Sequence, residues 1–195
     1  MKKIVISATV TPLLEDGSLD KAGLKKIFDR NIAHGVDGFF ILGSMGEWGS
    51  FSDDFKEEFV SESCKIIGKR ARLLVGINAT SLPLSLENMK RYCKYDFDSY
   101  VFMLPGRTSA LDPVKSILSV LDAADRPVYY YHCPPNNGID LSLAQFAEIM
   151  AHPKLAGIKT PPAICGSAVN CLKCALNAAS KRFSSKVRNG QSMKL

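Results

Sequence analysis

At 195 residues, 46% hydrophobic and 23% charged, the chain is long enough to bury one sizeable core and has the balance of an ordinary globular protein. No apolar run approaches the roughly 20 residues of a membrane span. The opening "MKKIVISATVTP" alternates apolar with polar residues and lacks a cleavage-site pattern, so a cytoplasmic location is expected. The net charge of +6 belongs to the end of the chain: 160–195 holds six basic residues and no Asp or Glu, whereas 1–159 holds 19 basic and 19 acidic residues. A neutral body argues against nucleic acid as a partner.

Apolar, β-branched runs at 3–10, 38–42, 72–77, 99–104, 127–131 and 155–158 predict six strands. Between them lie helical patterns. The first, over 21–34, puts Leu24, Ile27, Phe28 and Ile32 on one face and stops at Gly35; the second runs from a Ser52 cap to Gly68. Weaker patterns cover 85–94, 112–124 and 142–151. Strand starts about 30 residues apart match βαβ units, and continuous apolar strands alternating with helices predict a parallel sheet. The six cysteines, at 64, 93, 133, 165, 171 and 174, show no framework spacing and are expected as reduced thiols. Cys171 and Cys174 lack a second chelating pair, so no metal is expected.

Two architectures fit: a doubly wound sheet, or part of a (β/α)8 barrel. The strand ends separate them. In chain order they read Thr9-Val10-Thr11-Pro12, Gly43-Ser44-Met45-Gly46-Glu47, Gly76-Ile77-Asn78, Pro105-Gly106-Arg107, Tyr131-His132-Cys133-Pro134 and Lys159. Polar or glycine-rich chemistry at the ends of several strands is the habit of a barrel. A doubly wound sheet concentrates it after the first strand, and here that strand has no glycine-rich phosphate loop.

These motifs resemble the dihydrodipicolinate synthase / N-acetylneuraminate lyase family of pyruvate-dependent class I aldolases. They are "VTP" (10–12) with "DGSLD" (16–20), "HGVDGFFILGSMGE" (34–47), "VGINATS" (75–81), "YHCP" (131–134) and "GIK" (157–159). The resemblance implies a (β/α)8 TIM barrel, here incomplete with about six βα units over 1–159. It also implies a lyase or aldolase that needs no cofactor, because a lysine forms a Schiff base with pyruvate or another 2-keto acid. Family members are often homotetramers, an assembly that missing strands argue against here.

Residue by residue, the resemblance assigns the Schiff base to Lys159. Only a neutral amine attacks a ketone, and an ordinary lysine is roughly 0.04% neutral at pH 7. Desolvation at the top of an apolar barrel would raise that fraction. The plain alternative is a lysine marking a solvated strand end. Tyr131 would pass protons to and from the carbinolamine, its alternative being an aromatic core residue. Ser44 and Met45 would hold the pyruvate carboxylate through their backbone N–H groups, with Ser44 also relaying a proton to Tyr131. The alternative is a plain glycine turn. Met45 lacks the hydroxyl that the family usually has there, and Glu47 is expected to anchor the loop.

Two departures bear on the substrate. The synthase typically has two tyrosines where this chain has Pro105-Gly106-Arg107, the second of them part of its proton relay. It also has a carboxylate-binding arginine where this chain has Pro135-Asn136-Asn137-Gly138. The aldehyde partner is therefore left open between a sugar acid and a synthase-like substrate. Arg107 offers a carboxylate contact from a new position, against a solvated loop arginine.

After Lys159 only 36 residues remain, with no strand run. Barrels of this type run near about 250 residues. The stretch 160–195 reads as an atypical basic tail, with one helix over 167–183 and a shift in composition like that of a frame slip or premature end. A second function class follows: an inactive, incomplete derivative.

Overall fold

A computed structural model of the chain describes residues 3–106 and 112–160. Six strands, β1 (Ile6–Ala8), β2 (Gly38–Ile41), β3 (Arg72–Gly76), β4 (Ser99–Phe102), β5 (Val128–Tyr131) and β6 (Leu155–Lys159), form one sheet in sequential order, every neighbouring pair parallel. Sequential order excludes the doubly wound arrangement, in which the chain reverses direction across the sheet.

The helices begin where side chains satisfy their free N–H groups. Asp20 caps α1 (Lys21–Ala33) by accepting from Gly23 at 2.8 Å, and Ser52 caps α2 (Asp53–Ile67) by accepting from Phe55 at 3.2 Å. Ser81 caps α3 (Leu82–Tyr92), and Asp112 caps α4 (Pro113–Ala123). After the one-turn α5 (Pro134–Asn137), α6 (Leu143–Met150) opens with a reciprocal capping box between Ser142 and Gln145. α3 starts three residues before the expected 85. Pro83 stands in its first turn, where a missing N–H costs no helical hydrogen bond.

Side chains alternate across the sheet. Phe39, Ile41, Leu73, Val75, Tyr100, Phe102, Val128 and Tyr130 join the large core shared with the helices. There Phe28 of α1 packs on Phe39 with ring centroids 4.6 Å apart. Phe40, Leu74, Val101, Met103, Tyr131 and Cys133 form a second, smaller cluster on the opposite face, to which no helix contributes a buried side chain. Helices against one face, with a separate side-chain layer on the other, is barrel geometry.

The two edge strands are open, as an incomplete barrel requires. The sequence of β6 reads as buried, yet none of its residues is; β1 is shorter than 3–10 and largely exposed. Among the described residues neither has a strand on its outer side. Ile4 (50% exposed), Val5 (53%) and Val10 (48%) flank β1 in the open. The inner face encloses a cavity of about 510 Å³ lined by Ile6, Ala8, Phe40, Leu74, Tyr129, Lys159 and neighbours. The expected tail helix, Arg107, Cys165, Cys171 and Cys174 lie outside the described residues; Cys64, Cys93 and Cys133 are free thiols.

Candidate active site

The register that pairs Tyr131 with Lys159 puts the ends of β5 and β6 side by side, and the His132 N–H donates to the Lys159 carbonyl at 2.9 Å to extend that pairing. The Lys159 side chain turns to the inner face. Its Nζ stands 3.7 Å from the centroid of the Tyr131 ring and 4.8 Å from that of Phe40. The amine is half-buried, and burial pushes its pKa below the ordinary lysine value, an effect that nearby Cys133 partly opposes. The ring faces also favour the ammonium. Desolvation dominates because the apolar rings replace water without supplying a counter-charge.

Tyr131 is buried, and desolvation, aided by its neighbour Cys133, pushes its phenol up to about 12; Ser44 acts in the opposite direction. A phenol held protonated near neutral pH is fit to donate. Ser44 comes from the turn after β2, exposed at the strand end and near enough to Tyr131 to favour its ionised form. The structure thus brings Lys159, Tyr131 and Ser44 to one corner of the sheet.

The turn carrying Ser44 is two short 3-10 segments, Ser44–Gly46 and Trp48–Ser50, joined at Glu47. Glu47 sits at φ 53, a left-handed conformation uncommon outside glycine. It shapes the loop through its backbone, donating to Ser44 O and accepting from the Ser50 N–H. The glycines serve close approach of chain to chain. A Cβ on Gly46 would meet the Thr9 carbonyl at 2.9 Å, and one on Gly43 would meet the Phe40 ring at 2.7 Å. Thr11 ties the turn down by donating to the Gly46 carbonyl at 2.7 Å. The N–H groups of Ser44 and Met45 begin the first segment, where backbone donors have no partner within the turn. The Met45 side chain is 64% exposed.

Three residues to which the sequence reading gave no role of their own complete the corner. Phe40 forms its aromatic floor, and period-two counting back from the end of β2 would have found it. Cys133 sits beside Tyr131, and the same counting from Tyr131 reaches it. Asn78 bridges three strand ends: its Oδ1 accepts from the Met103 N–H at 2.9 Å, and its Nδ2 donates to the Leu42 carbonyl at 3.4 Å. Asn137 does similar work at the fifth strand end, donating from Nδ2 to the Leu104 carbonyl at 3.1 Å and accepting from the Ile139 N–H at 3.0 Å. His132 points to the outer face, where its Nε2–H donates to Asp140 Oδ1 at 3.0 Å and its ring packs edge-on against Phe146. Burial lowers its pKa and keeps it neutral. Among the described residues no three His, Cys, Asp or Glu side chains are grouped to hold a metal, and no helix is long and apolar enough to cross a membrane.

Known proteins share this fold. The 4-hydroxy-tetrahydrodipicolinate synthase of Acidiphilium cryptum is 27% identical over 154 residues, which cover 78% of this chain and 53% of that protein. YagE, a prophage protein of the dihydrodipicolinic acid synthase family from E. coli K12, solved in complex with pyruvate, superposes with a TM-score of 0.76 at 26% identity, covering 80% of this chain and 54% of that one. The chloride-inhibited dihydrodipicolinate synthase from Acinetobacter baumannii, complexed with pyruvate, gives 0.82 at 24% identity, covering 89% and 60%, and shares the fold. The chain spans about half the length of the curated relatives it matches. Its six parallel strands and the helices between them are thus those of an incomplete (β/α)8 barrel. The sequence pattern of the dihydrodipicolinate synthetase family matches residues 1–178, and this chain belongs to that family.

Proposed function

We propose that this chain carries the imine-forming site of a pyruvate-dependent class I lyase or aldolase. One observation carries the reading: at the end of β6 a half-buried lysine, its basicity lowered by burial, lies between two aromatic rings, one of them a phenol held protonated. The neutral Lys159 amine attacks the ketone carbon of a 2-keto acid. Tyr131 moves one proton from nitrogen to the ketone oxygen to give the carbinolamine and then donates its own, so that the oxygen leaves as water and a protonated imine remains. Ser44 supports the phenol, and the N–H groups of Ser44 and Met45 receive the carboxylate. The reduced thiols fit a cytoplasmic setting.

The second substrate is proposed to differ from that of a dihydrodipicolinate synthase. In the segment where the resemblance puts a carboxylate-binding arginine, Asn137 is 4% exposed and both ends of its amide are committed to backbone partners. It cannot turn to a second carboxylate without breaking the rim. A 2-keto-3-deoxy acid, cleaved to pyruvate and a neutral aldehyde, suits this rim better. Efficient condensation with aspartate semialdehyde would refute that part of the reading.

A second reading, a scaffold without turnover, draws on the exposed Ile4, Val5 and Val10 beside an inner cavity of about 510 Å³. Incubation with pyruvate and borohydride separates the two. An irreversible gain in intact mass matching one reduced imine supports the lyase, whereas unchanged mass supports the scaffold.

A further inference from the structure

His132 is joined to both reacting groups of the proposed site. It follows Tyr131 in the chain, and its main-chain N–H donates to the Lys159 carbonyl at 2.9 Å. That bond matters because β6 is lightly held. Among the described residues β6 pairs with β5 alone, the pairing is irregular between Val128 and Tyr129, and none of its residues is buried. The direction in which the Lys159 side chain leaves the sheet is therefore set by the end of β5.

The end of β5 is fixed in turn by the His132 ring, which lies on the outer face, away from Lys159. The residue is 1% exposed, and its ring packs edge-on against Phe146 of α6, with ring centroids 4.9 Å apart. Its Nε2–H donates to Asp140 Oδ1 at 3.0 Å. Asp140 stands between α5 and α6 in a well-anchored segment: Asn137 Oδ1 accepts from the Ile139 N–H at 3.0 Å, and Leu141 is buried. The Asp140 side chain itself is 76% exposed and takes no part in the core. Among the described residues His132 Nδ1 has no hydrogen-bond partner, so Asp140 is the polar attachment of the ring.

We propose that His132 and Asp140 are positioning residues for imine formation: the ring, tied to Asp140 and packed on Phe146, fixes the main-chain N–H that holds Lys159 over the Tyr131 ring. Neither side chain touches substrate, and the proposal rests on the Lys159 reading. A misplacement of about 1 Å can cost roughly 10² in rate. Here the lever acts on an amine 3.7 Å from the Tyr131 ring centroid and 4.8 Å from that of Phe40. Without the tether the end of β6 moves off the rings, and the amine gains water and basicity.

The test compares wild type, Asp140→Ala, Asp140→Asn, His132→Leu and His132→Gln in the full chain. Asp140→Ala is the principal variant, because an exposed carboxylate can be removed without opening the core. Tyr131 and Cys133, the titratable groups beside the Lys159 amine, stay intact in every variant. Borohydride trapping of pyruvate at neutral pH should slow about tenfold in Asp140→Ala and His132→Leu. Its rise with pH should level off about one unit higher, as for a better solvated amine. Asp140→Asn keeps an acceptor and His132→Gln keeps a donor, so both should restore most of the rate and the wild-type profile. A role in stability alone would lower the urea midpoint and leave the pH profile of the folded protein in place. That result, or equal trapping rates, would overturn the proposal. A second readout needs no pyruvate. In protein labelled with [13Cε]lysine, the Lys159 NMR signal, identified by its loss in Lys159→Arg, should titrate at higher pH in Asp140→Ala than in wild type. An unmoved midpoint also overturns the proposal. If no imine forms in wild type, the Lys159 reading falls, and this midpoint still decides whether the tether places the amine.

Discussion

The two faces of the sheet are built to different standards. Over β2 to β5 the outer face is closely packed: Phe39, Ile41, Val75 and Tyr100 are fully buried against α1 to α4, and the core continues into the helices. The inner face has a small cluster, a cavity and a half-buried lysine. Fold stability therefore resides mainly outside, and the proposed chemistry inside. A site that must admit a substrate cannot be packed to the density of a core, and the inner face accepts that loss in exchange for an amine shielded from bulk water.

Substitutions at the inner corner should affect chemistry far more than stability. Lys159→Ala should abolish trapping of pyruvate while leaving the far-ultraviolet circular dichroism unchanged; trapping at equal yield would remove this residue from the mechanism. Tyr131→Phe should slow imine formation by roughly 10² to 10⁴. An unchanged single-turnover rate would return the ring to a packing role.

The complementary pair is Phe39 and Phe40, adjacent in sequence and opposed in space. Phe39→Ala leaves a closed void against Phe28 and should cost about 3–5 kcal/mol. Phe40→Ala opens onto an existing cavity and should cost about 1–2 kcal/mol less, since the cavity penalty is smaller. Equal losses in urea denaturation would show that the inner layer is as closed as the outer.

The pH dependence sharpens the same contrast. Burial lowers the Lys159 pKa, so the trapping rate should rise about tenfold per pH unit while the ammonium dominates, then level off below the ordinary lysine value of 10.5. A rise that continues past 10.5 would mean a solvated amine. At the small end, Ser52→Ala removes the cap of α2 on the outer layer and should cost about 1 kcal/mol without altering trapping.

Most of the fold could be read from the sequence because period and punctuation agree. Five helices and six strands lie where apolar runs and caps put them. The 3-10 segments around Glu47 and the short α5 were not legible, since each depends on contacts with distant chain: Gly46 against Thr9, Asn137 against Leu104. The exposure of β6 follows from the missing barrel neighbour and not from its own residues. "LAGI" reads as buried because apolar character says what a strand suits, not whether a neighbour is present. Lys159, Tyr131 and Ser44 emerged from motifs at strand ends. Phe40 did not, because an apolar residue in an apolar run carries no signal until a register shows what it faces, and Cys133 stood in the "YHCP" motif without drawing a role.

The central claim is that Lys159 forms the imine. Its most direct test is peptide mapping of wild-type chain reduced by borohydride in the presence of [13C]pyruvate. The account predicts one labelled peptide, with the label on Lys159, and no label when the ketone is replaced by lactate. Label spread over exposed lysines such as Lys69 and Lys115, with Lys159 unmodified, would contradict it.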